Sequence, residues 1–119
     1  MKAEHLTKAA DFARVFNEGS SLVNNLVVLK TLPNSLPHSR FGITVGRRIG
    51  GAVVRNRVKR QLREIMRLTH LRPGWDIVLI ARPPASSARY TKLEKATKGL
   101  LARAQLLMDE YEEACLSAN

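Results

Sequence analysis

The side chains best suited to chemistry in this sequence are arginines, which cluster between residues 40 and 67. That stretch holds eight Arg and one Lys but a single acid, Glu64. A guanidinium group is planar and binds phosphate oxygens through two parallel hydrogen bonds, so an Arg-rich surface is typical of proteins that contact a nucleic-acid backbone. The candidate contacts are Arg47, Arg48, Arg55, Asn56, Arg57, Lys59, Arg60, Arg63 and Arg67.

The overall charge favours the same chemistry. The chain has 119 residues, a formal net charge of +10 and 45% hydrophobic residues. This length predicts one domain, residues 1–119, with a modest core. A small folded domain with such an excess of positive charge repels itself unless an anionic partner is nearby. Nucleic acid is the leading candidate for that partner, ahead of an anionic membrane surface.

The residues that an independent enzyme would need are scarce. The ten acids do not form the paired carboxylates that hold Mg²⁺ in nucleases, and the three His residues lie in unrelated contexts. The single Cys excludes a disulfide framework and a zinc cluster within the chain. No apolar run approaches the roughly 20 residues that span a bilayer, and no secretory signal begins the sequence. We therefore expect no catalytic residue, no metal site, no membrane association and a cytoplasmic location.

A helix from about residue 52 to residue 69 is predicted to carry most of the candidate contacts. Val58, Leu62 and Ile65 recur at helical spacing and form an apolar side. Gly50 and Gly51 precede the helix and permit a sharp turn into it. The opposite side carries Asn56, Lys59, Arg60, Arg63 and Arg67.

Further elements are predicted around this helix from periodicity and residue preference. They are a first helix capped at Thr7, a strand over 22–32 with a break at 24–25, a strand over 40–45, a strand over 75–81 and a final helix over 91–116. The short connection between the first two strands predicts that they pair antiparallel. The order indicates an α+β sandwich with a βαβ crossover, right-handed by default.

Two aromatic residues, Phe12 and Phe16, lie on the apolar stripe of the first helix. Their spacing fits two roles equally well. They could pack the helix against the sheet, or they could form a platform on which unpaired bases stack. The residues alone leave both roles open.

One long motif resembles the signature of the protein subunit of bacterial ribonuclease P: VGRRIGGAVVRNRVKRQLRE, residues 45–64. Residues 6–16 are similar to the first helix of that family, and residues 75–82 are similar to its last strand. The resemblance therefore extends over nearly the whole chain.

The resemblance implies a fold, a reaction and partners. The implied fold is a two-layer α-β sandwich, with one mainly antiparallel sheet, about three helices and a left-handed βαβ crossover like that of a small-subunit ribosomal protein domain. The implied reaction is removal of the 5′ leader from precursor tRNA, catalysed by a large RNA. Mg²⁺ would be held mainly by that RNA and the substrate. The protein would be inactive alone, monomeric, and present once in each ribonucleoprotein.

The resemblance also implies roles for particular residues. The nine candidate contacts would face the catalytic RNA, and Phe12 and Phe16 would line a cleft that holds the single-stranded leader. Lys30 occupies a position where the family often has an aromatic residue. A lysine contacts phosphate but does not stack as a ring does. The alternatives are a structural ribosomal-type or RNA-chaperone protein of the same fold, and a DNA regulator with a helix-turn-helix, which the apolar strand runs disfavour.

Overall fold

A computed structural model describes residues 4–108 of the chain. The helices and strands are β1 (Glu4–His5), α1 (Ala9–Glu18), β2 (Ser20–Val23), β3 (Val27–Pro33), β4 (Arg40–Thr44), α2 (Ala52–Arg67), β5 (Trp75–Ala81) and α3 (Tyr90–Arg103). Short 3₁₀ helices cover Arg47–Ile49 and Pro83–Ser87. The α+β class is confirmed. Lys8, and not Thr7, occupies the N-cap position of α1.

The five strands form one sheet in the order β1-β4-β5-β3-β2. β4 and β5 are parallel neighbours connected through α2, as the predicted crossover requires. The predicted pairing between the strands over 22–32 and 40–45 is wrong, because β5 lies between β3 and β4. The apolar side chains of β5 explain its central place, since both of its edges and both of its faces are covered.

The sheet is mixed, where the resemblance implied a mainly antiparallel one. Two pairs, β2 with β3 and β3 with β5, are antiparallel. Two others, β1 with β4 and β4 with β5, are parallel. The parallel half arises because α2 returns the chain to the end of the sheet at which β4 began.

The break predicted near residues 24–25 is the turn of a hairpin between β2 and β3. The Asn24 Oδ1 accepts hydrogen bonds from the backbone N–H groups of Leu26 and Val27, at 3.0 and 2.9 Å. This local bonding by an Asn side chain offers the backbone a turn in place of a continuous strand.

Helices cover both faces of the sheet. α2 and α3 pack on the face that carries Phe41 and Leu79, which forms the main core. α1 packs on the opposite face, where Leu6, Val15 and Val78 are buried together. Adjacent residues of a strand point to opposite faces, so Val78 and Leu79 belong to different layers. The resemblance implied two layers, a sheet and one layer of helices. The structure has a third, because α1 covers the other face of the sheet.

The last helix is shorter than predicted. α3 ends at Arg103, where Gln105 adopts a positive φ of 60° and the Leu106 N–H donates to the Leu101 carbonyl at 3.0 Å. Leu107 then forms an isolated β-bridge with Leu71. The predicted continuation is wrong over residues 104–108, because the apolar side chains there pack into the core after a turn. Its remainder, residues 109–116, lies outside the described residues.

Candidate nucleic-acid interface

The sequence places the candidate contacts on one helix and the turn before it. Gly50 ends that turn with a φ of 149°, which a residue with a Cβ rarely adopts. α2 then buries Val58, Leu62 and Ile65 against the sheet. This packing leaves the polar side outward, as predicted. Its exposed members are Arg47, Arg48, Asn56, Arg57, Arg60, Arg63 and Arg67, while Arg55 and Lys59 are half-buried. These nine residues are called the α2 basic surface.

Two members of the α2 basic surface already have partners in the protein. Arg67 binds Glu64 through two hydrogen bonds of 2.7 and 3.1 Å. The hydrogen bond lowers the pKa of Glu64 and raises that of Arg67. Arg57 donates to the backbone carbonyl of Ser86, which joins α2 to the connection before α3. These contacts make Arg57 and Arg67 partly structural.

The remaining arginines of the α2 basic surface are available for an external anion. Among the residues that the structure describes, Arg47, Arg48, Arg60 and Arg63 form no side-chain hydrogen bond or ion pair. The Nε of Arg55 is buried and has no hydrogen-bond partner there. A buried donor without a partner is costly.

The α2 basic surface continues around the edge of the sheet toward α1. Lys59 and Arg63 line a cavity of about 110 Å³, together with His5, Phe12 and Ile43. Phe12 therefore lies between the cations of α2 and the face of the sheet that α1 covers. Sequence periodicity gave no indication of this proximity, because it arises from the pairing of β1 with β4.

The three residues of the predicted cleft differ in their surroundings. Phe16 is 37% exposed, and the Lys30 Nζ lies 5.9 Å from the centre of its ring. Phe12 is half-buried and packs with the cluster of Leu6, Val15 and Val78. Its ring also lies against Gly42, where an added Cβ would be 2.3 Å from the Phe12 Cζ. Phe16 and Lys30 are thus open to a ligand, whereas Phe12 is mainly a packing residue.

A buried carboxylate fixes α1 and β4 beside the cleft, and the sequence gave little indication of it. Asp76 is fully buried in β5. It accepts hydrogen bonds from Arg40 at 2.6 and 2.8 Å, from Asn34 at 2.9 Å and from Arg14 at 3.2 Å. A lone acid within an apolar strand was the available signal, because such a charge requires buried partners.

The electrostatics of this group follow from its partners. Burial acts to raise the pKa of Asp76, but the hydrogen bonds from Arg40 and Asn34 outweigh it and hold that pKa below its usual range. The same hydrogen bond raises the pKa of Arg40. The charged Asp76 of β5 therefore links α1 through Arg14 and β4 through Arg40. Both of its carboxylate oxygens already accept hydrogen bonds.

Residues 4–108 contain no group of three or more His, Cys, Asp or Glu side chains that could hold a metal ion. No helix in the same range is both long and apolar enough to cross a bilayer. The acids at positions 109–113 and Cys115 lie outside the described residues.

An α+β domain with a guanidinium-covered helix and an exposed aromatic ring beside a lysine is typical of small nucleic-acid-binding proteins. Residues 1–105 match the sequence profile of the family described as Ribonuclease P. The chain therefore belongs to the ribonuclease P protein family. Members of this family are the protein component of ribonuclease P, a ribonucleoprotein endoribonuclease that processes tRNA. The RNA component carries out the catalysis.

Individual relatives agree with this assignment. The chain is 45% identical over 112 residues to the ribonuclease P protein component of Dehalococcoides mccartyi strain CBDB1, covering 94% of this chain and 93% of the relative. It is 36% identical over 108 residues to that of Clostridioides difficile strain 630, covering 88% and 95%.

Solved structures give the same result for the fold. The RNase P protein of Staphylococcus aureus matches with a TM-score of 0.81 and 34% identity, covering 90% of this chain and 100% of that one. The RNase P protein of Thermotoga maritima matches with a TM-score of 0.77 and 36% identity, covering 84% and 96%. The helix-turn-helix alternative is wrong, because a five-stranded sheet forms the centre of the molecule.

Proposed function

We propose that this chain binds the catalytic RNA of ribonuclease P through the α2 basic surface. The observation that carries the proposal is a row of exposed guanidinium groups with no partner among the described residues, of which Arg60 and Arg63 lie on one side of α2. Phosphate contacts of this kind fix the position of a protein on RNA without reading its sequence. Arg57 and Arg67 add charge but are partly held by Ser86 and Glu64.

We propose further that Phe16, Lys30 and the exposed edge of Phe12 hold the 5′ leader of precursor tRNA. Leaders differ in sequence, so the site needs groups that accept any base. An aromatic ring stacks on every base, and a lysine attracts every phosphate. The 5.9 Å separation of the Lys30 Nζ from the Phe16 ring supports a combined site of this type.

Mg²⁺ is assigned in this proposal to the RNA subunit and its substrate. The best-placed carboxylates of the described residues are engaged by cations: Asp76 by Arg40 and Arg14, and Glu64 by Arg67. The protein then contributes positive charge around the reaction and supplies no metal ligand of its own. In this proposal the protein is monomeric, and one copy is present in each ribonucleoprotein. It is located in the cytoplasm with its RNA.

The substitution Phe16→Ala tests the leader site. We expect it to weaken binding of precursor tRNA with a leader by about 1–3 kcal/mol, the usual contribution of one stacked base, in the assembled holoenzyme. Binding of leaderless tRNA should be unchanged. Because Phe16 is exposed, thermal unfolding should also be nearly unchanged. Equal losses for both tRNAs would contradict the leader site.

The proposed interface also predicts a preference among RNAs. The proposal predicts tighter binding to ribonuclease P RNA than to ribosomal RNA of similar length at the same salt concentration. Equal affinities would contradict specific binding of ribonuclease P RNA through the α2 basic surface.

A further inference from the structure

A second set of cations on α3 is not used by the proposed function. Its exposed members are Arg89 at the N-cap of α3 and Lys92, Lys95 and Arg103 within the helix. None of the four forms a side-chain hydrogen bond or ion pair with another described residue. The one acid of α3, Glu94, is already paired with Lys98 at 3.7 Å. Within residues 4–108, the charge on this helix is therefore not neutralised by neighbouring acids.

Three of these cations share one side of the helix with a glycine. Lys92, Lys95, Gly99 and Arg103 are spaced so that they lie along a single stripe, which spans roughly 16 Å from Lys92 to Arg103. A glycine inside a helix is destabilising relative to alanine. A Cβ at Gly99 would meet nothing within 4 Å, so packing within the protein does not require it. The missing side chain instead leaves space for a ligand between the cations.

A groove of about 260 Å³ runs beside this stripe. Lys92 and Lys95 line one side of it, and Asn24 and Asn25 of the β2–β3 turn line the other. The turn is held rigidly, because the Asn24 Nδ2 donates to the Ala96 carbonyl at 3.0 Å. The groove is therefore formed before any ligand arrives, and Asn25 is left exposed beside the lysines.

We propose that this α3 surface, defined as Asn25, Lys92, Lys95, Gly99 and Arg103, is a second binding site for the phosphate backbone of the catalytic RNA. Lysine and asparagine side chains are common phosphate contacts. The catalytic RNA is favoured over the leader because α3 packs beside α2 on one face of the sheet, while Phe16 and Lys30 lie on the other. The inference rests on the proposed function, since it extends the same RNA-binding role.

The test measures the affinity of the full chain for ribonuclease P RNA over a range of salt concentrations. The variant Lys92→Ala/Lys95→Ala should bind about ten-fold more weakly. The slope of log affinity against log salt should fall by about 1.4–1.8, as expected for two lost phosphate contacts. Thermal unfolding should be unchanged, because both side chains are exposed. Unchanged affinity would overturn the proposal.

Two matched variants separate a site from a general charge effect. Lys98→Ala removes the same charge as Lys95→Ala from the same helix, but at a residue already paired with Glu94. We expect Lys95→Ala to lose about three-fold in affinity and Lys98→Ala less than two-fold. Gly99→Gln, which adds bulk without charge, should weaken binding and leave the salt slope unchanged. Equal losses for Lys95→Ala and Lys98→Ala would contradict the site.

The outcomes also distinguish this inference from the proposed function. If Arg60→Ala weakens RNA binding and Lys92→Ala/Lys95→Ala does not, the α3 surface is refuted and the α2 basic surface stands. If neither variant has an effect, the proposed RNA interface itself fails. A loss restricted to precursor tRNA, with binding to the catalytic RNA unchanged, would contradict the assignment of the α3 surface to that RNA.

Discussion

Arg60 and Arg67 lie two turns apart on the same side of α2, yet their surroundings differ. Arg60 is exposed and has no partner among the described residues, whereas Arg67 binds Glu64 at 2.7 Å. A guanidinium that already binds a carboxylate gains less from a phosphate, because the first interaction must be weakened. The two residues therefore provide a matched comparison of free and paired arginine.

We predict that Arg60→Ala lowers affinity for the catalytic RNA by about 1 kcal/mol, roughly five-fold, and reduces the salt slope by about one. Arg67→Ala should have the smaller effect. The free energy of unfolding should change by less than about 0.5 kcal/mol for Arg60→Ala, since the side chain is exposed. Binding titrations at several salt concentrations measure both quantities. A variant that instead unfolds would identify Arg60 as a structural residue.

Asp76 makes stability depend on pH in a predictable direction. Because its pKa is lower in the folded protein than in the unfolded chain, its stabilising contribution is complete above about pH 3.9. The contribution is lost as the pH falls through the folded-state pKa. We predict that Asp76→Asn costs about 3 kcal/mol at pH 7, because Arg40 loses its buried counter-charge.

Urea unfolding of both proteins between pH 7 and pH 2 checks this prediction. The difference between wild type and Asp76→Asn should shrink as the pH falls below about 3.9, because Asp76 then binds a proton in the unfolded chain but not yet in the folded protein. A difference that stays constant over this range would contradict a charged Asp76 in the fold.

At the scale of elements, the position of α1 depends on one close approach. The ring of Phe12 occupies the space above Gly42, so that a Cβ there would lie 2.3 Å from the Phe12 Cζ. We predict that Gly42→Ala costs about 1–3 kcal/mol of stability through overpacking. It should also weaken leader binding, because Phe16 moves with the helix.

A second substitution tests this cause. In Phe12→Ala/Gly42→Ala the clash is absent, so the cost of the double variant should be smaller than the sum of the two single costs. Denaturant unfolding of the four proteins gives this coupling energy as a double-mutant cycle. Additive costs would show that Phe12 and Gly42 act independently.

The elements that sequence predicted best are those with a strong internal period. Val58, Leu62 and Ile65 repeat at helical spacing and defined α2, and the apolar run at 75–81 defined β5. The order of the strands was not predictable in this way. It depends on β5 pairing with both β3 and β4, which are distant contacts that no local pattern encodes.

The same limit applies to the candidate site. Exposed arginines follow from the apolar side of α2, so their positions were predictable. The half-buried state of Phe12 was not, since the sequence spacing fitted packing and stacking equally. The two-residue strand β1 was missed, and with it the cavity that joins Lys59 and Arg63 to Phe12.

At the scale of the whole molecule, most of the positive charge faces outward, whereas two carboxylates bind arginines of the protein itself. The net charge of +10 is concentrated on exposed helix surfaces, while Asp76 and Glu64 hold the protein's own arginines. The described part of the chain measures about 46 × 31 × 21 Å, so the two sides of the sheet remain close together. These dimensions fit the proposed placement of the catalytic RNA on one side of the sheet and the leader on the other.

We propose that the protein binds and positions RNA around a reaction that the catalytic RNA itself carries out. The most direct test is the rate of 5′ leader removal by the catalytic RNA, measured over a range of Mg²⁺ concentrations with and without the protein. Added positive charge should reduce repulsion between the phosphates of the two RNAs. We predict that the protein lowers the Mg²⁺ concentration required and has no activity alone. An unchanged Mg²⁺ dependence, or cleavage by the protein alone, would contradict the claim.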